Sequence, residues 1–158
     1  MITSRDLKRA YAYGGGLGLM PFAPGTWGTL GGYLIYALLI SVTQRFYLIP
    51  WFGLFYLGIL ASEMMIETLG ADDDPSIVCD EACAYALVLY LMPFSWPNII
   101  LSFALFRLFD IWKPWPIRSF EQQARGGFAI MFDDILAGAY TLLVLWGFFA
   151  LYLLLYPA

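Results

Sequence analysis

The sequence predicts an all-α, polytopic membrane helical bundle. Three observations carry this. The chain is 61% hydrophobic and only 13% charged, whereas a soluble domain is roughly half apolar and about a quarter charged. Its charges fall in four short blocks, separated by apolar runs approaching the ~20 residues that a membrane-spanning helix needs. And alternate crossings put seven of the eight Lys and Arg residues on one side of a membrane, with only Arg45 on the other. The expected bundle has about five hydrophobic helices, plus short amphipathic ones, in a single membrane-embedded domain over residues 1–158. Two of the five are short enough to form a re-entrant hairpin.

Residues 3–13 read as a short amphipathic helix at the membrane surface, with Leu7, Ala10 and Tyr11 on one side and Arg5, Lys8 and Arg9 on the other. Turn-rich backbone follows, Gly14 to Gly18 and Pro21 to Thr26. A first apolar helix is expected over 27–42 with Thr26 as its N-cap. Its stripe of Gly25, Gly28, Gly31 and Gly32 suits close helix packing in lipid. A second runs over 46–69, becomes polar at Glu63 and Glu67, and is broken by Gly70. Asp74-Pro75 reads as the start of a third helix reaching Met92, which would put Asp80 and Glu81 about two turns inside it. A fourth covers 98–112, stopped by Lys113-Pro114-Trp115-Pro116. Residues 117–125 read as a polar connector ending at Gly126-Gly127. The last helix, 128–156, carries Asp133-Asp134 near its start, then an uncharged run to Tyr156 of about 33 Å at the usual helical rise.

Positive residues favour the cytoplasmic side, which places the N-terminus and the charged blocks inside. The third and fourth segments offer only about 18 Å and 15 Å of apolar helix, so they cross incompletely or enter and return. Either way their charges stay on the cytoplasmic face. No cleavable signal peptide is expected, since no apolar core precedes the Gly/Pro-rich stretch.

Composition also excludes. A net charge of −4 without a basic run argues against nucleic acid. Histidine is absent, which removes imidazole as base, zinc ligand or phosphoryl acceptor. Cys79 and Cys83 are too few for a zinc site and read as small apolar residues on one helix face. Cys79 as a nucleophile is disfavoured because no Cys-x5-Arg phosphate loop follows it. The glycines match no dinucleotide or P-loop pattern.

What remains is a set of ionisable residues on apolar helices: Asp80, Glu81, Arg107, Asp110, Asp133 and Asp134. Each costs several kcal/mol in a membrane unless paired, hydrated or metal-bound. Six at similar depth on three helices point to a shared polar cavity. Hard divalent cations take carboxylate oxygens, and guanidinium or ammonium groups hold phosphate. The reading is therefore Mg2+ held by Asp80 and Asp134 with help from Glu81 and Asp133. Arg107, Lys113 and Arg118 would clamp a phosphomonoester, and Thr26 would be a further phosphate contact. Arg107, Asp110 and Lys113 recur every third residue and line one side of a helix; Asp110 reads equally as a structural clamp or a ligand. Asp133 and Asp134 lie about 100° apart on a helix, so one of them faces the site. Asp72-Asp73-Asp74 reads mainly as a solvated cap, with Asp73 a secondary candidate.

At these blocks the chain resembles the phosphatidylglycerophosphatase A family. The resemblance rests on Pro24-Gly25-Thr26-Trp27-Gly28-Thr29, on Asp73 through Glu81, on Phe106 through Arg118, and on Gly126 through Gly138. It implies a mostly helical fold in the bacterial inner (cytoplasmic) membrane and magnesium dependence. It also implies removal of the terminal phosphate from phosphatidylglycerophosphate, a phospholipid of the inner leaflet, with the acidic and basic blocks at the site. The family often has His-Gly-Gly where this chain has Arg125-Gly126-Gly127, and a glycine where it has Ala84. Metal-activated water is the expected attacking group, with an aspartyl-phosphate as the alternative. A small cation transporter and a non-catalytic membrane protein are the competing classes. The transporter predicts ionisable groups throughout the bilayer depth, and neither class needs matched acid and base sets.

Overall fold

A computed structural model describes residues 3–70 and 74–156. Its elements are helical: α1 (Ser4–Ala12), a 3-10 turn (Gly14–Leu19), α2 (Pro24–Thr43), a 3-10 turn (Gln44–Phe46), α3 (Leu48–Leu69), α4 (Cys79–Leu91), α5 (Trp96–Trp112), α6 (Ile117–Gln123) and α7 (Gly127–Leu155). Among the described residues, three helices are long and apolar enough to cross a membrane: α2 extended through Phe46, α3 and α7. With 13 and 17 residues, α4 and α5 reach only about 20 Å and 25 Å. They form the expected short hairpin, joined through residues 92–95 and locked by Tyr85, whose hydroxyl donates to the Ile99 carbonyl at 2.9 Å.

Local chemistry explains the boundaries. The Thr3 hydroxyl accepts from the Asp6 N–H, and the Asp6 carboxylate accepts from the Thr3 N–H at 2.9 Å, which closes a capping box on α1. Those bonds, the backbone one foremost, hold the Asp6 carboxyl below its ordinary value. Helix α2 begins three residues earlier than the sequence suggests. Pro24 supplies a preset φ at the first turn, and Ala23, in the left-handed region, is the N-cap; Thr26 therefore sits inside the first turn.

Helix α4 begins later than expected. Asp74 does not cap it. Its Oδ1 accepts from the N–H of Ser76 at 2.9 Å and from the Ser76 hydroxyl, closing a tight turn. The chain enters α4 only at Cys79, after Val78 N–H has bonded to the Ala12 carbonyl at 2.9 Å. Asp80 and Glu81 consequently occupy the first helical turn. The connector 117–125 is also more ordered than a polar loop, since most of it is α6. Asp72 and Asp73 lie outside the described residues.

The packing follows membrane logic, in which close approach replaces hydrophobic drive. Helix α2 lies along α4 through its glycines. A Cβ on Gly32 would sit 2.6 Å from the Ala82 carbonyl oxygen and 3.1 Å from Tyr85 Cβ. On the other side, α3 reaches α4 with polar aromatic tips: Tyr47 donates to the Ala86 carbonyl and Trp51 Nε1 to that of Cys83, both at 2.9 Å. The core thus surrounds α4, with Cys79, Cys83, Ala84, Tyr85 and Val88 all buried. Large apolar side chains such as Leu34, Ile49, Leu143 and Leu154 face outward, as expected of surface in contact with lipid.

Gly32→Ala should lower the thermal midpoint of the detergent-solubilised protein, since overpacking of this kind costs about 1–3 kcal/mol. Gly53→Ala, where an added Cβ meets nothing within 4 Å, should leave it unchanged or raise it.

Candidate active site

A cleft of about 740 Å³ opens where the starts of α2, α4 and α7 meet the end of α5 and the α6–α7 junction. Its polar walls are Asp80 and Glu81 from α4, Arg107 and Asp110 from α5, Lys113, Glu121 and Arg125 from the following segment, and Asp133 and Asp134 from α7. Groups more than fifty residues apart in the chain converge here because the starts of α2, α4 and α7 and the end of α5 lie together.

The acidic core is a triad. Asp80, Glu81 and Asp134 each offer a carboxylate oxygen, and the three oxygens lie within 4.8 Å of one another. Asp134 is 3% exposed. Asp80 Oδ1, Glu81 Oε2 and Asp134 Oδ2 are buried with no hydrogen-bond partner. Buried carboxylate oxygens ordinarily have partners; three acids that each keep an unpartnered buried oxygen, and that bring carboxylate oxygens within 4.8 Å of one another, fit the oxygen-ligand preference of a hard divalent cation.

Beside the triad sit two cations, each already bound to acid. Arg107 Nη1 donates to Asp110 Oδ2 and lies 3.5 Å from Glu81 Oε1, while its Nε is buried and unpartnered. Asp110 is therefore a clamp on Arg107. Lys113 Nζ donates to Asp133 Oδ2 at 2.8 Å and to Glu121 Oε1 at 2.6 Å. Burial alone would push its ammonium down; Asp133 and Glu121 overcome this and hold it above its ordinary value. Its ammonium is held in place by these two carboxylates.

Asp133 accordingly faces Lys113 and lies outside the triad, although the two aspartates are adjacent. Arg118 is exposed on α6 and does not line the cleft. Thr26 does not line it either; its N–H bonds to the Ala23 carbonyl at 3.0 Å. Asp73 lies outside the described residues. The corner holding Lys113 is fixed by Tyr140 of α7, which donates to the Trp115 carbonyl at 2.6 Å.

Sequence reasoning missed three contributors. Glu121 belonged to an apparent connector and gave no signal of its own. Arg125 lines the cleft from the α6–α7 junction. Gly25 is the third: a Cβ there would collide with Glu81 Oε1 and stand 2.9 Å from Arg107 Nη1. Only glycine lets α2 approach this ion pair, and its place in the small-residue stripe was the available clue.

The fold and cleft define a class: a helical membrane protein with an acidic triad able to hold a cation beside an arginine and a lysine, the residue types that phosphate-ester chemistry uses. The family model for phosphatidylglycerophosphatase A matches residues 10–149. A Haemophilus influenzae protein named phosphatidylglycerophosphatase A is 42% identical over 135 residues, covering 84% of this chain and 83% of the relative. An Escherichia coli protein of the same name is 36% identical over 129 residues, covering 80% and 74%. A Bacteroides thetaiotaomicron relative, named as a candidate phosphatidylinositol-3-phosphatase, is 33% identical over 147 residues, covering 84% and 87%. No solved structure matches the chain. The chain belongs to the phosphatidylglycerophosphatase A family. It is a phosphoric monoester hydrolase.

Gly25→Ala should reduce turnover at least about tenfold, because it displaces charged groups that need sub-ångström placement. Circular dichroism should show helix content unchanged.

Proposed function

We propose that this protein hydrolyses the terminal phosphomonoester of phosphatidylglycerophosphate, giving phosphatidylglycerol and phosphate. It would do so with Mg2+, as a single multi-pass domain of the bacterial cytoplasmic membrane whose cleft faces the cytoplasm. The observation that carries this reading is the triad of orphaned carboxylate oxygens from α4 and α7 beside two acid-held cations. The relatives named phosphatidylglycerophosphatase A support the substrate. The cytoplasmic orientation rests on the charge count: alternate crossings put seven of the eight Lys and Arg residues on one side and Arg45 on the other.

Asp80, Asp134 and Glu81 would hold the cation. Bound there, Mg2+ would neutralise phosphoryl charge and activate water. The chain's own groups do the rest. Arg107, clamped by Asp110, presents its guanidinium to the phosphate, with the unpartnered Nε available as a donor. Lys113 adds a permanent charge at a fixed point. Its bond to Asp133 keeps that carboxylate away from the incoming anion, where it would repel. Such positioning and charge stabilisation are what phosphoryl transfer asks of a protein. Acyl chains remain in the bilayer along the apolar outer surface while the head group enters the cleft.

Purified protein with Mg2+ should release inorganic phosphate from phosphatidylglycerophosphate, and EDTA should abolish release. Asp80→Asn and Asp134→Asn should each reduce kcat by about 10²-fold or more, as expected for groups acting directly on transition-state charge, while still inserting into membranes. Full activity in both variants would refute the assignment. Cys79→Ser and Cys83→Ser should stay active, because both thiols are buried in the helix core.

A further inference from the structure

The start of α7 has no side-chain cap of its own: its N-cap is Gly126. The N–H of Gly127 instead donates to Glu63 Oε2, a carboxylate reaching across from α3, 64 residues away. A negative charge at this point satisfies an orphan donor and complements the positive end of the helix dipole. The contact is also sterically exact in its demands. A Cβ on Gly127 would collide with the Ile59 carbonyl oxygen and stand 2.7 Å from the Glu63 nitrogen, and a Cβ on Gly126 would stand 2.8 Å from Glu63 Oε2.

This contact sets the rotation of α7. Gly127, Met131 and Asp134 fall at i, i+4 and i+7, on one face of the helix. Gly127 touches α3 at Ile59 and Glu63, and Met131 lies over Gly58 of α3. With that stripe held against the bundle interior, Asp134 meets Asp80 and Glu81, and Asp133, about 100° around the helix, meets Lys113. A helix turned by one residue would bring Asp133 to the triad and carry Asp134 about 100° past it.

We propose that Glu63 is a positioning residue for the carboxylate triad: by capping α7 from α3 it fixes the helix rotation that delivers Asp134, rather than Asp133, to Asp80 and Glu81. This rests on the cation-site reading above. Glu63 itself is not among the residues lining the cleft, so it acts through α7 and not on substrate.

The test is cation binding without substrate, by Mn2+ electron paramagnetic resonance and by Mg2+-dependent thermal stabilisation in detergent, on wild type, Glu63→Ala, Glu63→Gln and Asp134→Asn. Glu63→Ala should weaken binding about 10-fold or more, the usual effect of removing a group that orients a ligand. The KM for lipid at saturating cation should stay unchanged. Glu63→Gln, which keeps an acceptor for the Gly127 N–H, should recover affinity to within a few-fold of wild type; Asp134→Asn should abolish binding. Wild-type affinity in Glu63→Ala overturns the proposal, as does equal loss in Glu63→Ala and Glu63→Gln. If Glu63→Ala does not fold, Glu63→Asp, which keeps the charge but shortens its reach, should also bind more weakly than Glu63→Gln, and the reverse order overturns the proposal. A wild type that binds no cation removes the underlying site reading, and this proposal with it, whereas an unchanged Glu63→Ala removes only the positioning role.

Discussion

The repulsion among three carboxylates in one small, poorly hydrated volume is the constraint on which the rest of the structure depends. Two unit charges 4.8 Å apart repel by about 3–4 kcal/mol at an effective dielectric of ~20. Arg107 and Lys113 are already engaged with acids. Arg107 is shared between Glu81 and Asp110, and Lys113 is committed to Asp133 and Glu121. The three acids are placed so that one bound cation could relieve their repulsion.

The fold is organised to tolerate that concentration of charge. The two acids of α4 sit at its start, in the first turn, whereas Asp134 lies two turns into α7, beyond the reach of that helix end. Helix N-termini carry partial positive charge that favours carboxylates. The delayed start of α4 therefore matters chemically. Had the helix begun at Asp74, both acids would lie in its interior, away from this field. The Asp74–Ser76 turn and the Ala12–Val78 hydrogen bond bring the helix end to the acids.

Glycine does the complementary work. Helices in lipid gain little from burying apolar surface against one another, so contact depends on how closely backbones approach. Gly32 brings α2 onto α4, Gly25 admits the start of α2 beside the Glu81–Arg107 pair, and Gly127 seats α7 on α3. Each missing side chain becomes a shorter distance between charged groups on neighbouring helices. The short α4–α5 hairpin then keeps the cleft at one end of the bundle, where lipid head groups and water meet.

The sequence by itself determined the class of fold, the long apolar helices, the one-sided charge and the division into acidic and basic groups. These are properties of composition and local period, and a membrane makes them legible because an ionised group in an apolar helix needs a reason to be there. Spacing along one helix put Asp110 within reach of Arg107 but left open whether it clamps the arginine or binds a metal; the contact itself came from the structure. Tertiary structure alone decided which acid serves which partner. Asp133 and Asp134 are chemically identical and adjacent; only the rotation of α7, set by its contacts with α3, separates one from the other. Arg118 and Lys113 belong to the same basic block, yet Lys113 ends α5 facing α7 while Arg118 turns outward on α6. Thr26 left its expected cap because Pro24 began the helix first. Local chemistry specifies which groups are present and on which helix, but the facing of a side chain depends on contacts between segments dozens of residues apart.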